Sequence, residues 1–276
     1  MDAARAQRQF ERDGFLVVRG AVERTRVDAL RRTLHRAIVA RLKSAGSTVD
    51  EAADLDGAFA QLAALDERYV GELFRVVRET VELYELLLAP RLLEVVRGLI
   101  PQATLHVLPE AAALRVDRRV DAKRAFHWHY DYSYISMSEN GITGWYPLAE
   151  MEPALGYLRV IPGSHRTLTP VRYREEYSGI GKFLGHNVYE LYGVSREELE
   201  ARGVDVEVEL GDALFIHGRL LHRSGENRTP RGRWTVLGRY GDLLDPALVA
   251  RGWNTVRGTH APRLFNELHP ELVHAG

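Results

Sequence analysis

The feature that most constrains the fold is a change in the apolar pattern near Pro101. Before it, apolar residues recur at helical spacing over long stretches, as in the stripe Val27, Leu30 and Leu34. After it, short runs rich in Val, Leu, Ile and Tyr alternate with Gly and Pro. That alternation is typical of strands at the spacing of a β-sandwich. The order of the two patterns predicts helices followed by a sheet-rich core.

The predicted elements have recognisable ends. Pro90 starts a helix that Pro101 ends. Thr48 and Glu51 resemble a capping box for a weaker helix that reaches residue 65. The strand-like runs, in order, are 104–107, 111–116, 142–148, 156–161, 204–210, 213–217 and 234–240.

No linker rich in Pro, Gly or Ser separates the two parts, so we expect residues 1–276 to form one domain. Its fold class is predicted as mainly β with flanking helices. The core, over 104–240, is a jelly roll, that is, a cupin-like double-stranded β-helix, and the helices of 1–103 cover it. Residues 241–276 form a C-terminal extension without a recognisable motif.

A long connection over 172–203 interrupts the strands. It contains a second capping box, in which Ser195 is followed three residues later by Glu198. Long insertions in compact domains often form active-site lids, so we expect a lid here. The alternative is a surface excursion without a role.

Composition excludes several function classes. The chain has no cysteine, which excludes disulfides, thiolate nucleophiles and zinc–thiolate sites. A formal net charge of −1 gives no support to a nucleic-acid partner or an anionic membrane. No apolar run is long enough to span a bilayer, and the first residues lack the apolar segment of a signal peptide. We expect a cytoplasmic protein with a small-molecule partner.

The stretch 126–132 holds His129 and Asp131 among aromatic residues. On an extended chain, residues two apart point to the same face. A third ligand from elsewhere would complete a two-histidine, one-carboxylate triad, which leaves coordination positions open and suits non-haem Fe(II). The alternative is a buried hydrogen-bonded pair. His127 shares the same face and is expected to support the site or to pack in the core.

Two downstream histidines are candidates for the third ligand. His217 and His222 each precede an arginine by eleven residues, Arg228 and Arg233 respectively, so this spacing alone does not separate them. Arginine is the preferred partner where a carboxylate must be held by two hydrogen bonds, as a chelating keto acid would require at its far end. Arg231 points the same way as Arg233 on an extended chain.

Four segments occur in an order that identifies a family. They are Phe10–Gly20, Trp128-His129-Tyr130-Asp131, the strand Leu158–His165 ending in Ile-Pro-Gly-Ser-His, and His222-x-Ser224-x-x-Asn227 followed by Arg233. Together they resemble the phytanoyl-CoA dioxygenase-like family of Fe(II)- and 2-oxoglutarate-dependent oxygenases, over about residues 8 to 240. One departure is Ala154-Leu155-Gly156, where the family has Glu-Asn-Gly; only the glycine remains, which fits a role in a turn.

The resemblance implies roles for the residues that match the motifs. His129, Asp131 and His222 would bind Fe(II). The Ser and Asn that follow His222 favour it over His217. Arg233 would bind the distal carboxylate of 2-oxoglutarate, with Ser224 in support, and the family spacing favours it over Arg231.

Further positions near the motifs are predicted to line the site. Trp145 would line the co-substrate pocket, and Arg115 would contact the co-substrate or the substrate, as the resemblance implies. Tyr130, Tyr132 and Tyr134 either line a substrate pocket or form an aromatic core.

The function implied by the resemblance is hydroxylation of an unactivated C–H bond of a small molecule. The tyrosines with Arg115, Arg159 and Arg219 indicate that this molecule is polar or anionic. O2 and 2-oxoglutarate are consumed, and succinate and CO2 are released. The presence of Asp131 favours oxygen chemistry, because related halogenases have a small residue there. One alternative is a cupin-like metal-dependent isomerase, or a dioxygenase without 2-oxoglutarate, which would have no use for Arg233. Another is a non-catalytic jelly-roll binding module.

Overall fold

The computed structural model describes residues 2–50, 53–119, 127–173, 189–255 and 261–274. The helices in this part of the chain are α1 Ala3–Asp13, α2 Arg24–Ser44, α3 Leu55–Leu65, α4 Glu67–Val76, α5 Val81–Leu87, α6 Pro90–Leu99, α7 Arg196–Arg202, α8 Pro246–Ala250 and α9 Ala261–Leu268. The strands are β1 Phe15–Val18, β2 Leu105–Val107, β3 Ala113–Asp117, β4 Ile142–Pro147, β5 Leu158–Val160, β6 Val171–Tyr173, β7 Tyr189–Leu191, β8 Val204–Val206, β9 Ala213–His217, β10 His222–Ser224, β11 Arg233–Asp242 and β12 Val273–His274.

The helices follow the apolar periodicity closely. The start of α3 differs from the prediction. The predicted stripe of α2 is buried along its whole length. The box at Thr48 was wrong: α3 begins at Leu55, and the side chain of Asp54 accepts a hydrogen bond from the Gly57 N–H. An aspartate directly before the apolar run caps the helix because it reaches the third N–H of the first turn.

The strands form one large and two small sheets. The large sheet has the order β1-β9-β4-β11-β2, and β3 also pairs with β11. One small sheet, with the order β10-β5-β8, is antiparallel. The other has the order β12-β6-β7, in which β12 is parallel to β6 and β7 is antiparallel to it. On β11, Thr235 lies opposite Arg115 of β3, and Arg239 lies opposite Thr143 of β4. These pairings bring residues from distant parts of the sequence to one face of the large sheet.

Two apolar clusters lie on opposite faces of the large sheet. Tyr146 of β4 and Trp234 of β11 pack with buried residues of the N-terminal helices. Residues of the opposite register on the same strands, Trp145 on β4 and Leu237 on β11, pack with residues of β5 and β8 from the small sheet. The alternation follows from the period of two in a strand. The result is two sheets around an interior, with helices covering one outer face.

The structure describes the predicted connection over 172–203 and the C-terminal extension in part. Ser195 caps α7 with the predicted box, since Ser195 and Glu198 exchange both hydrogen bonds. Residues 174–188 of the predicted lid, with Gly179, Gly181 and Gly185, lie outside the described residues. Within the C-terminal extension, α9 packs on the aromatic cluster around Tyr132 through Phe265. None of the helices described is both long enough and apolar enough to cross a membrane.

Candidate metal centre and adjoining cleft

Two histidines face each other across a single backbone bridge. The N–H of His129 donates to the carbonyl of His222 at 3.0 Å, and the N–H of His222 donates to the carbonyl of His129 at 2.8 Å. Residues paired in this way in antiparallel strands direct their side chains to the same face. The two imidazole centroids are 4.3 Å apart, and both side chains are buried.

Asp131 completes the group from a turn. The chain leaves the extended conformation after Tyr130 and enters a short 3-10 turn over Asp131–Ser133. This differs from the extended stretch predicted from sequence, yet the carboxylate still faces the imidazoles. Asp131 Oδ1 lies 3.9 Å from Nε2 of His129 and 3.9 Å from Nε2 of His222. Two donors bound to one ion at about 2.1 Å each can be no more than about 4.2 Å apart, so these distances suit a shared ion.

The backbone fixes which ring nitrogen of each histidine faces the group. Nδ1 of His129 is 2.7 Å from the carbonyl of His127, and Nδ1 of His222 is 2.9 Å from the carbonyl of Leu220. A carbonyl only accepts, so each Nδ1 carries the hydrogen and each Nε2 directs its lone pair toward Asp131. Burial lowers the pKa of both imidazoles, and this keeps them neutral, as metal ligands must be.

The second oxygen of Asp131 has its own partners. Oδ2 accepts a hydrogen bond from Thr143 Oγ1 at 2.6 Å and lies 3.2 Å from Nη2 of Arg239. Burial by itself would raise the pKa of this carboxyl, but the charge of Arg239, with the hydrogen bond from Thr143, lowers it. Asp131 is therefore ionised, with Oδ1 turned toward the imidazoles. Two neutral nitrogens and one carboxylate oxygen fit a divalent ion such as Fe(II) with open positions.

The structure brings His129, Asp131 and His222 together, with all their ligand atoms within 4.8 Å of one another. His217, the other candidate, lies outside this group. Its Nδ1 accepts from the N–H of Arg219 at 3.1 Å, and its ring lies 5.0 Å from that of His165.

Arg233 lines a cleft that runs beside this group. It is the first residue of β11 and is 2% exposed. Nη1 donates to the carbonyls of Gly156 and Gly225, and Nη2 donates to Asp117 Oδ2 at 2.9 Å. Gly156 has a φ of +76°, and a Cβ there would lie 2.5 Å from the Glu226 carbonyl. Only glycine fits this turn, which explains why it is the residue retained from the Glu-Asn-Gly pattern.

Asp117 joins two arginines along the same wall. Its Oδ1 accepts from Arg115 at 2.7 Å, and its Oδ2 accepts from Arg233. Burial would raise the pKa of Asp117, but the two guanidinium groups outweigh burial and lower it. Asp117 is therefore ionised and holds both guanidinium groups at this wall of the cleft. The cleft is lined by these three residues together with Ser224, Asn227 and Arg239, among others.

A row of buried donors runs along the inner face of β11. Nε of Arg233, the hydroxyl of Thr235, and Nε and Nη1 of Arg239 have no hydrogen-bond partner within the described ranges. A buried donor left unpaired costs about 1–3 kcal/mol. Donors at alternate positions of one strand, at the wall of a cationic cleft, are what an elongated anion with several oxygens would satisfy.

The remaining predicted residues fall in different places. Ser224 is buried at the end of β10, beside the cleft. Trp145 packs inside the barrel with Leu237. Tyr130 and Tyr132 are buried in an aromatic cluster, which favours the core alternative for them. Tyr134 belongs to the same cluster, and the edge of its ring contacts His129, with 5.8 Å between centroids.

Sequence reasoning missed Thr143, Asp117 and Arg239. The signal for Arg239 was available, since a charged residue on the inward register of an otherwise apolar strand is rarely buried without a function. Asp117 and Thr143 gave no comparable signal, because short polar residues are ordinary at strand ends and edges.

Comparisons with known proteins agree with the motifs. A family model described as phytanoyl-CoA dioxygenase (PhyH) matches residues 10–235. A probable phytanoyl-CoA dioxygenase of Caenorhabditis elegans is 23% identical over 232 residues, which cover 82% of this chain and 71% of that protein. A peroxisomal phytanoyl-CoA dioxygenase of Mus musculus is 24% identical over 240 residues, covering 85% of this chain and 67% of that protein.

Solved structures share the fold at low identity. The epimerase SnoN, in complex with Fe3+, alpha ketoglutarate and nogalamycin RO, has a TM-score of 0.53 at 19% identity, covering 87% of this chain and 83% of SnoN. EctD from S. alaskensis with bound Fe has a TM-score of 0.56 at 19% identity, covering 93% of this chain and 79% of EctD. At such identities the likeness shows the fold, and the predicted jelly roll with a helical cover is confirmed.

Proposed function

Because this chain belongs to the phytanoyl-CoA dioxygenase family, we propose that it hydroxylates an unactivated C–H bond of a small, polar molecule, using Fe(II), 2-oxoglutarate and O2. Succinate and CO2 are the accompanying products. The observation that carries the proposal is the buried group of His129, Asp131 and His222. In the family, the bound ion and keto acid supply the activation of O2, and the protein supplies geometry and a dry site.

Two groups of residues have separate roles: one binds the metal ion, and the other binds the co-substrate. His129, Asp131 and His222 hold the ion on one side only, which leaves room for the keto acid and O2. Arg233 binds the distal carboxylate of 2-oxoglutarate, and Ser224 supports it. The position of Arg233 in the lining of the cleft, with Arg115 on the same wall, supports this assignment, because guanidinium groups attract a carboxylate.

The substrate occupies the remainder of the cleft. The cavity enclosed by the described residues has a volume of about 1140 Å³. A typical pocket for a single ligand has roughly 300–1,000 Å³, so this cavity accommodates a co-substrate and a substrate together. Arginines and carboxylates both line it, among them Arg159 and Glu200. These charged groups favour a polar substrate. Tyr134, beside the ring of His129, is the predicted tyrosine best placed to contact it.

The proposal is tested by anaerobic Fe(II) loading, addition of 2-oxoglutarate and O2, and measurement of succinate with and without candidate substrates. Asp131→Ala should abolish hydroxylation and weaken Fe(II) binding, because it removes the only anionic ligand. If the folded wild type binds Fe(II) but never forms succinate, the metal-dependent isomerase or the co-substrate-independent dioxygenase is favoured. If it does not bind Fe(II), a binding module is favoured.

Arg233 and Arg231 provide a matched pair of variants. Arg233→Lys should weaken 2-oxoglutarate binding by about 1.5–3 kcal/mol, or roughly tenfold to more than a hundredfold, because a lysine cannot replace the planar fork. Arg231→Lys should change it little, since Arg231 pairs with Glu152 at an exposed site. Calorimetric titration of the Fe(II)-loaded variants measures both. Equal losses would contradict the assignment of Arg233.

The cytoplasmic location predicted from sequence stays a prediction, and the mouse relative is described as peroxisomal. Cell fractionation with antibody detection tests it.

A further inference from the structure

Arg239 is a buried cation next to the metal ligands. It lies on β11 opposite Thr143 of β4, is 4% exposed, and faces the interior of the barrel. Both residues converge on the same atom, since Thr143 Oγ1 and Arg239 Nη2 contact Asp131 Oδ2 at 2.6 and 3.2 Å. Arg239 is therefore separated from the metal position by a single carboxylate.

One contact with Asp131 uses only part of this guanidinium. Nε and Nη1 are buried and have no hydrogen-bond partner among the described residues. Taking a guanidinium out of water is costly unless its donors are satisfied. A role limited to orienting Asp131 leaves these two donors unexplained, and Thr143 alone already supplies a neutral hydrogen bond to the same oxygen.

An anionic acceptor beside the metal position would satisfy these two donors and the buried charge together. Arg239 lines the cleft, so a ligand that enters from the cleft can reach it. A guanidinium with free donors pairs best with a carboxylate. The distal carboxylate of the co-substrate is already assigned to Arg233, six residues earlier on the same strand. The carboxylate at the other end of a keto acid is the one that lies at the metal.

We propose that Arg239 binds the metal-proximal carboxylate of the 2-oxo acid, so that the co-substrate is held between two arginines of one strand. This inference rests on the proposed function. In it, Arg239 selects the 2-oxo acid end, and Arg233 selects the dicarboxylate. The two contacts divide co-substrate recognition into separable parts.

The separation can be tested with 2-oxopentanoate, which is 2-oxoglutarate with a methyl group in place of the distal carboxylate. Binding of both acids to Mn(II)-loaded protein is measured by calorimetry, without turnover. Arg239→Met should weaken both acids by about tenfold or more, since each loses a charge-assisted bond. Arg233→Lys should weaken 2-oxoglutarate and leave 2-oxopentanoate nearly unchanged.

Two further variants keep the test decisive. Arg239→Lys keeps a cation beside Asp131 and serves if Arg239→Met does not fold; it lacks the fork and should still weaken both acids. Thr143→Val removes the other bond to Asp131 Oδ2 and should leave the affinity of the metal-loaded protein for both acids within about threefold of wild type, less than the loss of one charge-assisted bond.

Titration of the same variants with Mn(II) alone supplies the remaining comparison. Loss of a cation should not weaken the binding of a divalent ion. If Mn(II) affinity falls as much as that for the acids, Arg239 acts only through Asp131 and the inference is wrong. Unchanged affinity of the Arg239 variants for both acids would also overturn it. If wild type binds Mn(II) but neither acid, the proposed function itself fails.

Discussion

His217 and His222 are close in sequence, yet the backbone gives their rings opposite hydrogen-bond roles. Nδ1 of His222 faces the carbonyl of Leu220, whereas Nδ1 of His217 accepts from the N–H of Arg219. His222 therefore presents a bare Nε2 to the metal group, and His217 carries its hydrogen on Nε2. Residue spacing could not distinguish the two, because the tautomer depends on whether a carbonyl or an N–H faces the ring.

The pH dependence of stability should depend on His217. Burial and then His165 lower its pKa to about 3, against about 6.5 in the unfolded chain. Between pH 3 and 6.5 the unfolded chain binds more protons at this histidine than the folded chain does. His217 therefore makes the free energy of unfolding highest above about pH 6.5, and that free energy decreases as the pH falls toward 3. In His217→Asn the amide oxygen can still accept from Arg219. The slope of the unfolding free energy should fall by about 1.4 kcal/mol per pH unit between about pH 4 and 6.

Urea denaturation at several pH values measures this slope for wild type and variant. At about pH 8 both proteins should show little dependence on pH from this site, which provides the internal control. An unchanged slope at acidic pH would show that His217 is not the titrating group.

At the scale of elements, α7 is tied through one carboxylate to both segments that carry the histidine ligands. Glu200 accepts from Trp128 Nε1 at 3.1 Å, from Arg159 at 2.9 Å and from Arg223 at 2.9 Å. Trp128 precedes His129, and Arg223 follows His222. The helix at the end of the 172–203 connection is thereby anchored beside the metal centre, and the lid expected over that connection stays a prediction.

Glu200→Gln should loosen this anchor, because a neutral amide leaves Arg223 without this counter-charge and leaves Arg159 paired only with Asp205. We expect a loss of about 1–2 kcal/mol in unfolding free energy, reduced by the partial exposure of these groups, and faster amide exchange over α7. Hydrogen–deuterium exchange measures the second effect. Glu197→Gln, at an exposed position of the same helix, is the control and should leave exchange unchanged.

Elements that are determined by local interactions could be predicted from the sequence, and those that depend on distant contacts could not. The stripe of α2, the Ser195 box and the strand over 213–217 follow from local periodicity and capping, and they agree with the structure. The turn at Asp131 does not, because the N–H of Tyr132 donates to the carbonyl of Gly218, far along the chain. The pairing of Asp117 with Arg233 likewise needs two strands brought together by the sheet.

At the scale of the whole molecule, the N-terminal helices and the large sheet share one apolar cluster. Leu34 of α2 and Leu87 of α5 belong to the same buried cluster as Phe215 of β9 and Val236 of β11. Neither part has a complete core without the other. This common core supports the proposal, made from the missing linker, that the chain is one domain.

A single domain should unfold in one transition. Leu34→Ala should cost about 2–5 kcal/mol and lower the unfolding temperature of helices and strands together. Scanning calorimetry, with far-ultraviolet circular dichroism followed in parallel, measures this. Two separate transitions, with only the helical one shifted by the substitution, would show that the two parts are independent domains.

The bridge between His129 and His222 joins positions 93 residues apart, 222 minus 129. A chain emerging from the ribosome cannot form this bridge until its second partner has been synthesised. Iron can therefore bind to the complete ligand set only after residue 222 has been synthesised. Premature termination before residue 222 yields products that lack one of the three ligands.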